Sequence, residues 1–387
     1  MVRRPVLSPR LAGLGTTIFA EMSALAVATG AINLGQGFPD EDGPVEVADA
    51  AVAAIRSGQN QYPPGPGIEP LRRAIAAHQA RFWGIDLDPD REVLVTAGAT
   101  EAIAAAMLAL CDPGDEILAF EPTYDSYRAV AAMAGARLRS VALTPPDHAA
   151  DVDALATLVT DRTRLMLLNT PHNPTGKVFT TEELAAVARL CVERDLIAIT
   201  DEVYEHLVFD GAHEPLATFP GMAERTLTIS SAGKTFSFTG WKVGWASGPE
   251  ELVAAVRTTK QFLTYVNGAP FQPAVAVGLA LDDDFYAALR DTLRAKRDLL
   301  CDGLRAAGFE VFVPQGTYFA TVDIRSVGAA DGLEFCRALP GRCGVVAVPS
   351  SVFYDDPATG AHLVRFAFCK RVEVLADAVE RLSGLSA

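Results

Sequence analysis

The chain has 387 residues, half of them hydrophobic and 21% charged, with a formal net charge of -15. That length suggests two or three domains around a large core, and the composition excludes a disordered chain. The negative field excludes nucleic acid and an anionic membrane as partners, because a phosphate surface would be repelled.

The start, MVRRPVLSPR, has basic residues but no apolar stretch of the kind a secretory signal needs, so a cytoplasmic location is expected. The longest apolar stretch, Ala102 to Cys111, falls far short of the ~20 residues of a membrane-spanning helix. From Glu92 onward, short apolar runs alternate with helices. VLVT (Val93 to Thr96) precedes a helix beginning near Thr100, and EILAF (Glu116 to Phe120) precedes another after Tyr124. RLMLLN (Arg164 to Asn169) precedes TEELAAVARLCVERD, and LIAIT (Leu196 to Thr200), LTIS around Leu227 and VGWASG follow. Short runs bounded by Gly, Pro, Asn and Asp, alternating with longer helices, signify parallel strands with crossovers. After about Ala280 the texture changes to a long amphipathic helix (Asp284 to Ala307), strands FEVFV and YFATVDI, a short helix, the strand HLVRFAF and a closing helix. This reads as a smaller α+β unit, joined by the segment before Pro44. Six cysteines lie scattered with no CxxC pair and read as reduced core residues, and no metal is expected.

In open α/β sheets ligands collect beyond the carboxyl ends of the strands, and four loops there are unusual. Gly98, Ala99 and Thr100 open a helix whose free amides suit a phosphate, although Gly-Ala-Thr is also an ordinary N-cap. Asn173 sits in a loop stiffened by two prolines, where it either donates to a ligand oxygen or completes a turn. Asp201 follows the mostly apolar run LIAIT and, partly desolvated, wants a cationic partner unless it caps a helix. Tyr204 returns to a similar side three residues on. In SSAGKTFSFTGWKVGW, Lys234 and Lys242 lower each other's proton affinity in apolar surroundings, priming one as a nucleophile, unless both reach water. Together these place a phosphate cradle, an acid, a phenol, an asparagine and a primed lysine at the strand ends of one sheet.

The segments AGATEA, EPTYDSY, NTPHNPTGK, TDEVYEHLVF, SSAGKTFSFTGWKVGW and HLVRFAF resemble, in order, the signatures of class I/II aminotransferases of the pyridoxal-phosphate (PLP) fold type I. The resemblance runs from about Leu34 to Lys370. LGQGFPD and GWKVGW resemble the subgroup that holds kynurenine, glutamine and methionine aminotransferases and the N-succinyldiaminopimelate aminotransferases. It implies an α/β fold with a large, mostly parallel-sheet domain over 46–280 and a smaller α+β domain made of 281–387 and the N-terminal segment 1–45.

By the same resemblance, Lys234 would bind PLP covalently and then carry protons as general base and acid, and Asp201 would pair with the pyridine nitrogen. Tyr204 and Asn173 would bond the ring oxygen, and Tyr124 would stack on the ring. Lys242, Ser231, the Ala99 amide and Thr100 would hold the phosphate. Arg365 would grip the substrate α-carboxylate in a two-pronged bond, with the Gly37 amide beside it and Phe19 lining the mouth. Tyr62 would reach the phosphate of a neighbouring subunit, which implies a homodimer. The substrates would be amino acids, glutamate the expected donor, and 2-oxo acids or an aldehyde.

There are departures from the kynurenine branch. VNGAP puts Asn267 and Gly268 where that branch presents an aromatic and a histidine from the partner subunit, and Thr100 stands where a tyrosine often sits. Both changes open or polarise the side-chain pocket. NQYPPGPG, EPTYDSY and GAPFQPAVA resemble the N-succinyldiaminopimelate branch more closely, which implies a role in lysine biosynthesis. Two alternatives remain: a β-lyase acting on cysteine conjugates at the same site, and a regulatory ligand-binding module. The acidic charge and the lack of a basic helix-turn-helix pattern argue against the second.

Overall fold

The computed structural model describes residues 6–12, 14, 15 and 17–386; the basic start, Met1 to Pro5, lies outside the described residues. The helix Ile18–Thr29 leads into a two-residue strand, β1 (Ile32–Asn33). A seven-stranded sheet follows, built from β2 (Val93–Thr96), β3 (Glu116–Glu121), β4 (Arg137–Ala142), β5 (Thr163–Asn169), β6 (Ile197–Asp201), β7 (Thr226–Ser231) and β8 (Gly244–Ser247). Its strand order is β2-β8-β7-β6-β5-β3-β4.

The apolar runs are continuous because both faces of this sheet are covered. Ile117 and Ala119 pack with Ile103, Tyr127 and Val256 from helices Gly98–Leu110, Asp125–Ala134 and Glu250–Lys260. Leu118 and Phe120, pointing the other way, pack with Leu184, Val187 and Cys191 of the helix Thr181–Glu193. That helix starts on a reciprocal cap in which the Thr180 side chain takes the Glu183 N–H and the Glu183 carboxylate takes the Thr180 N–H. Each fully buried Leu, Ile or Phe here contributes about 1.5–3 kcal/mol.

The run of parallel strands expected from sequence is broken at one place. β3 to β7 pair in parallel, whereas β8 runs antiparallel to both β7 and β2. A parallel return needs a crossover, usually a full helix. The link from β7 to β8 holds only a four-residue helix, Ala232–Thr235, and a single turn, Thr239–Trp241, so the chain doubles straight back. Lys234 and Lys242 are both carried on that short return. The first helix of the sheet also begins at Gly98, two residues before the expected start.

Beyond it, the helix Asp283–Ala306 is capped by the Asp282 side chain, which accepts the Phe285 N–H. The next strands are β9 (Glu310–Phe312), β10 (Phe319–Asp323), β11 (Val345–Val346), β12 (Val348–Pro349) and β13 (Leu363–Ala367). Four of them form an antiparallel sheet of order β12-β13-β10-β9, and β11 pairs in parallel with β1. Leu34 from the N-terminal segment joins the core of this second sheet, along with Leu300, Leu339, Phe366 and Leu375. All six cysteines are free thiols, and all but Cys343 are buried. No helix among the described residues is long and apolar enough to cross a membrane.

Candidate active site

The carboxyl ends of β2, β3, β5, β6 and β7 converge on one edge of the large sheet. Because β8 is antiparallel, its first residue arrives there too, with Gly244 opposite Thr96 on one side and Ser231 on the other. A cavity of about 350 Å³ opens at this edge and is closed from the far side by Arg365 of β13 and by the segment around Gly37. Phe19, Ala99, Thr100, Tyr124, Asn173 and Asp201 line it, as do Tyr204, Ser231, Lys234 and Lys242.

Lys234 is partly exposed on the cavity wall. Its amine makes one long hydrogen bond, 3.4 Å to the Gly37 carbonyl, and sits 5.7 and 5.6 Å from the ring centres of Tyr204 and Tyr318. Burial pushes its pKa down to about 8; Arg365 and Lys242 add to the effect, while Cys369 and Asp201 oppose it. The neighbouring lysine is thus a minor cause of a shift that the sequence ascribed to it and to burial together.

Asp201, at the end of β6, is 5% exposed. Among the described residues no ion pair reaches it; Oδ2 accepts the Tyr127 hydroxyl at 2.5 Å, and Oδ1 is buried with no protein partner. Burial raises its pKa to about 6, against the opposing influence of Tyr127, the Val203 amide and Lys234. Asn169 ties the neighbouring loop down, donating to the Asp201 carbonyl at 2.8 Å and accepting the Asn173 N–H at 2.7 Å.

The anion cradle is built by close approach of backbone. Gly98 has φ +77°, and a Cβ there would meet the Lys242 amine at 3.2 Å. Glu101 accepts the Ala97 N–H at 2.5 Å and also the Thr264 hydroxyl, which fixes the start of the helix. A Cβ on Gly244 would lie 2.7 Å from the Gly98 carbonyl carbon and 2.9 Å from the Ala99 nitrogen. Gly244→Ala is therefore expected to destabilise the apoprotein by about 1–3 kcal/mol, as overpacking against fixed backbone does. Denaturant unfolding reads this, and unchanged stability would mean that the helix start yields.

Arg365 is 1% exposed. One terminal nitrogen donates to Asn173 Oδ1 at 3.0 Å, the other to the Gly35 carbonyl at 2.9 Å, and Nε has no partner among the described residues. The Phe319 ring lies 3.9 Å from the guanidinium. Burial lowers its pKa to about 10.

Two residues fall elsewhere. Tyr62 is 81% exposed and rests edge-on against Tyr265 at 5.5 Å, away from this chain's cavity. Asn267 is occupied with backbone: its amide donates to the carbonyls of Thr96 at 3.0 Å and Lys242 at 3.1 Å. Within this chain it clamps the cradle. Ser230, next to Ser231, faces the other way and donates to Glu205 at 2.6 Å. Glu205 also takes the Trp83 N–H, beside a His78–His206 pair 2.7 Å apart. Tyr127, Asn169, Tyr318 and Phe319 were missed from sequence. Tyr127 had a signal, since it lies three residues after Tyr124 at the start of a helix, a spacing that returns to the same face.

Residues 29–382 match the family model described as aminotransferase class I and II. The chain belongs to this family. It is 58% identical to a protein of Mycobacterium tuberculosis named as a probable N-succinyldiaminopimelate aminotransferase, DapC, over 97% of this chain and 98% of that one. The solved structure of the N-succinyldiaminopimelate aminotransferase from that organism superposes with a TM-score of 0.96, covering 98% of this chain and all of the other. The methionine aminotransferase of Escherichia coli is 42% identical over the full length of both chains. Human kynurenine–oxoglutarate transaminase 1 is 37% identical over 96% of each. The protein is thus an aminotransferase with the type I fold, and the family works with PLP.

Proposed function

We propose that this aminotransferase holds PLP in the cavity and moves an amino group from L-glutamate to N-succinyl-2-amino-6-oxopimelate, a step of lysine biosynthesis. The observation that carries the PLP reading is the unpartnered Oδ1 of buried Asp201, which suits a protonated ring nitrogen, in one cavity with the Lys234 amine. The other donors fit the same group: the helix start at Gly98 to Thr100, Ser231 and Lys242 suit its phosphate. Asn173 and Tyr204 suit the ring oxygen, and Tyr124 suits a ring face. When bound, the cofactor supplies an electron sink for the carbon that loses a proton.

The chain's own groups do the rest. Arg365 and the Gly37 amide bind and orient the substrate α-carboxylate, with Phe19 against the mouth. Lys234 would take the proton from the substrate α-carbon and hand it to the cofactor carbon that keeps the amino group, reversing the transfer in the second half reaction, and its pKa near 8 suits both roles at neutral pH. We assign residues 46–280 to a cofactor-holding domain, and 1–45 with 281–387 to a smaller one. The enzyme works in the cytoplasm as a homodimer in which Tyr62 serves the partner's phosphate site.

The acceptor assignment is supported by the 58% identity to the protein of M. tuberculosis over nearly the whole chain. One observation favours a second reading, toward methionine or kynurenine: among the described residues that line the cavity, Arg365 is the only arginine, so a distal carboxylate has no second one. Single half reactions decide between them. Holoenzyme mixed with L-glutamate or N-succinyl-L,L-diaminopimelate should convert the cofactor absorbance to that of its aminated form, at least about ten-fold faster than with methionine, glutamine or kynurenine. The reverse order would establish the second reading. No conversion by any amino acid would sink the transaminase role. Pyruvate and ammonia released from a cysteine conjugate without an oxo acid would point to β-lyase chemistry.

A further inference from the structure

The two carboxylate oxygens of Asp201 have unlike surroundings. Oδ2 is engaged by Tyr127, and Oδ1 has no partner among the described residues beside the cavity. Tyr127 is 2% exposed and sits in the first turn of the helix Asp125–Ala134, with its ring edge-on to Tyr124 at 5.7 Å. The segment EPTYDSY therefore delivers two phenols to one site: the first lines the cavity as a flat wall, and the second reaches the acid.

We propose that Tyr127 is a positioning residue for transamination: it ties down Oδ2, so that Oδ1 is the oxygen presented to the cofactor's ring nitrogen. The inference rests on the PLP reading given above. A carboxylate can turn about its last bond, and a phenol bonded to one oxygen removes that freedom. The same bond favours the charged form of the acid. Among the described residues, Tyr127 and Tyr124 face Asp201 from the β3 side, Lys234 from the β7–β8 return, and the Val203 amide, Glu202 and Tyr204 from its own loop. Burial drives the pKa up, and Tyr127 is the largest of the influences that hold it down. Losing the hydroxyl leaves the Val203 amide and Lys234 to favour the charged form, and each of them does so less than Tyr127.

The test compares wild type, Tyr127→Phe, Asp201→Asn and the double variant. PLP binding to each apoenzyme is titrated across pH, kcat and KM are measured with glutamate, and thermal unfolding of the apoenzymes is followed. Tyr127→Phe should bind PLP about ten-fold more weakly, the loss expected when a bond to a charged group is removed. Its kcat should fall by a similar factor with KM for glutamate within about two-fold, since the substrate carboxylate is held elsewhere. The pH below which PLP affinity falls should rise by about one pH unit, because the acid takes up its proton sooner. In the Asp201→Asn background the same change should have no further effect on affinity, since it acts through that carboxylate. A Tyr127→Phe enzyme with lowered thermal stability but unchanged pH dependence, or with equal losses in both backgrounds, overturns the proposal. Wild-type enzyme that takes up no PLP overturns the proposed function, and this inference with it.

Discussion

Lys234→Ala is expected to abolish turnover, with kcat lower by about 10⁴-fold or more, because the covalent anchor and the proton carrier vanish together. Folding should survive. Among the described residues the amine makes only the 3.4 Å hydrogen bond to the Gly37 carbonyl, and the backbone around it is held by the Ala232–Thr235 helix and by β7 and β8. The variant should bind PLP through Lys242, Ser231 and the helix start, but without the absorbance of a covalently held cofactor. Turnover assays, spectra and circular dichroism check this together. Retained turnover in a folded variant would mean that another group is the nucleophile.

Arg365→Lys should be the second-largest loss, expected to cut kcat/KM by about 100-fold, the scale of one or two charge-assisted hydrogen bonds at about 1.5–3 kcal/mol each. The guanidinium is planar and already oriented: Asn173 and Gly35 fix its two terminal nitrogens, and Phe319 covers one face. An ammonium cannot reproduce that two-pronged geometry. Because amino donor and oxo acceptor both present an α-carboxylate, both half reactions should slow alike, with PLP affinity unchanged. Steady-state kinetics in the two directions read this. A loss confined to one direction would place Arg365 on a side chain instead of the shared carboxylate.

Much of this site was legible because several strands of the large sheet are followed, at or shortly past the end of the apolar run, by a residue that does not belong in a core. Asp201 after LIAIT, Asn173 after RLMLLN and Lys234 after LTIS stand out for that reason. Strand direction was less legible. VGWASG reads like its neighbours, and only the shortness of the return from Ser231 to Gly244 reveals that β8 runs backwards. The edge strand β4 was missed because RLRSVA lacks the apolar run of a doubly covered strand. Tyr127 was missed for a different reason: its spacing puts it on the face of Tyr124, but only the fold shows that its phenol bonds an acid 74 positions away instead of filling a core. Asn267 was read through the branch it departs from, and its two backbone bonds only appear once Thr96 and Lys242 are brought side by side.

The account turns on which amine captures the coenzyme, since Lys234 and Lys242 share one short loop. Borohydride reduction of the PLP-loaded enzyme, followed by digestion and mass spectrometry, answers this directly. A pyridoxyl adduct on the peptide at Lys234 is the predicted result. An adduct at Lys242, or none on an enzyme that demonstrably transaminates, would contradict it.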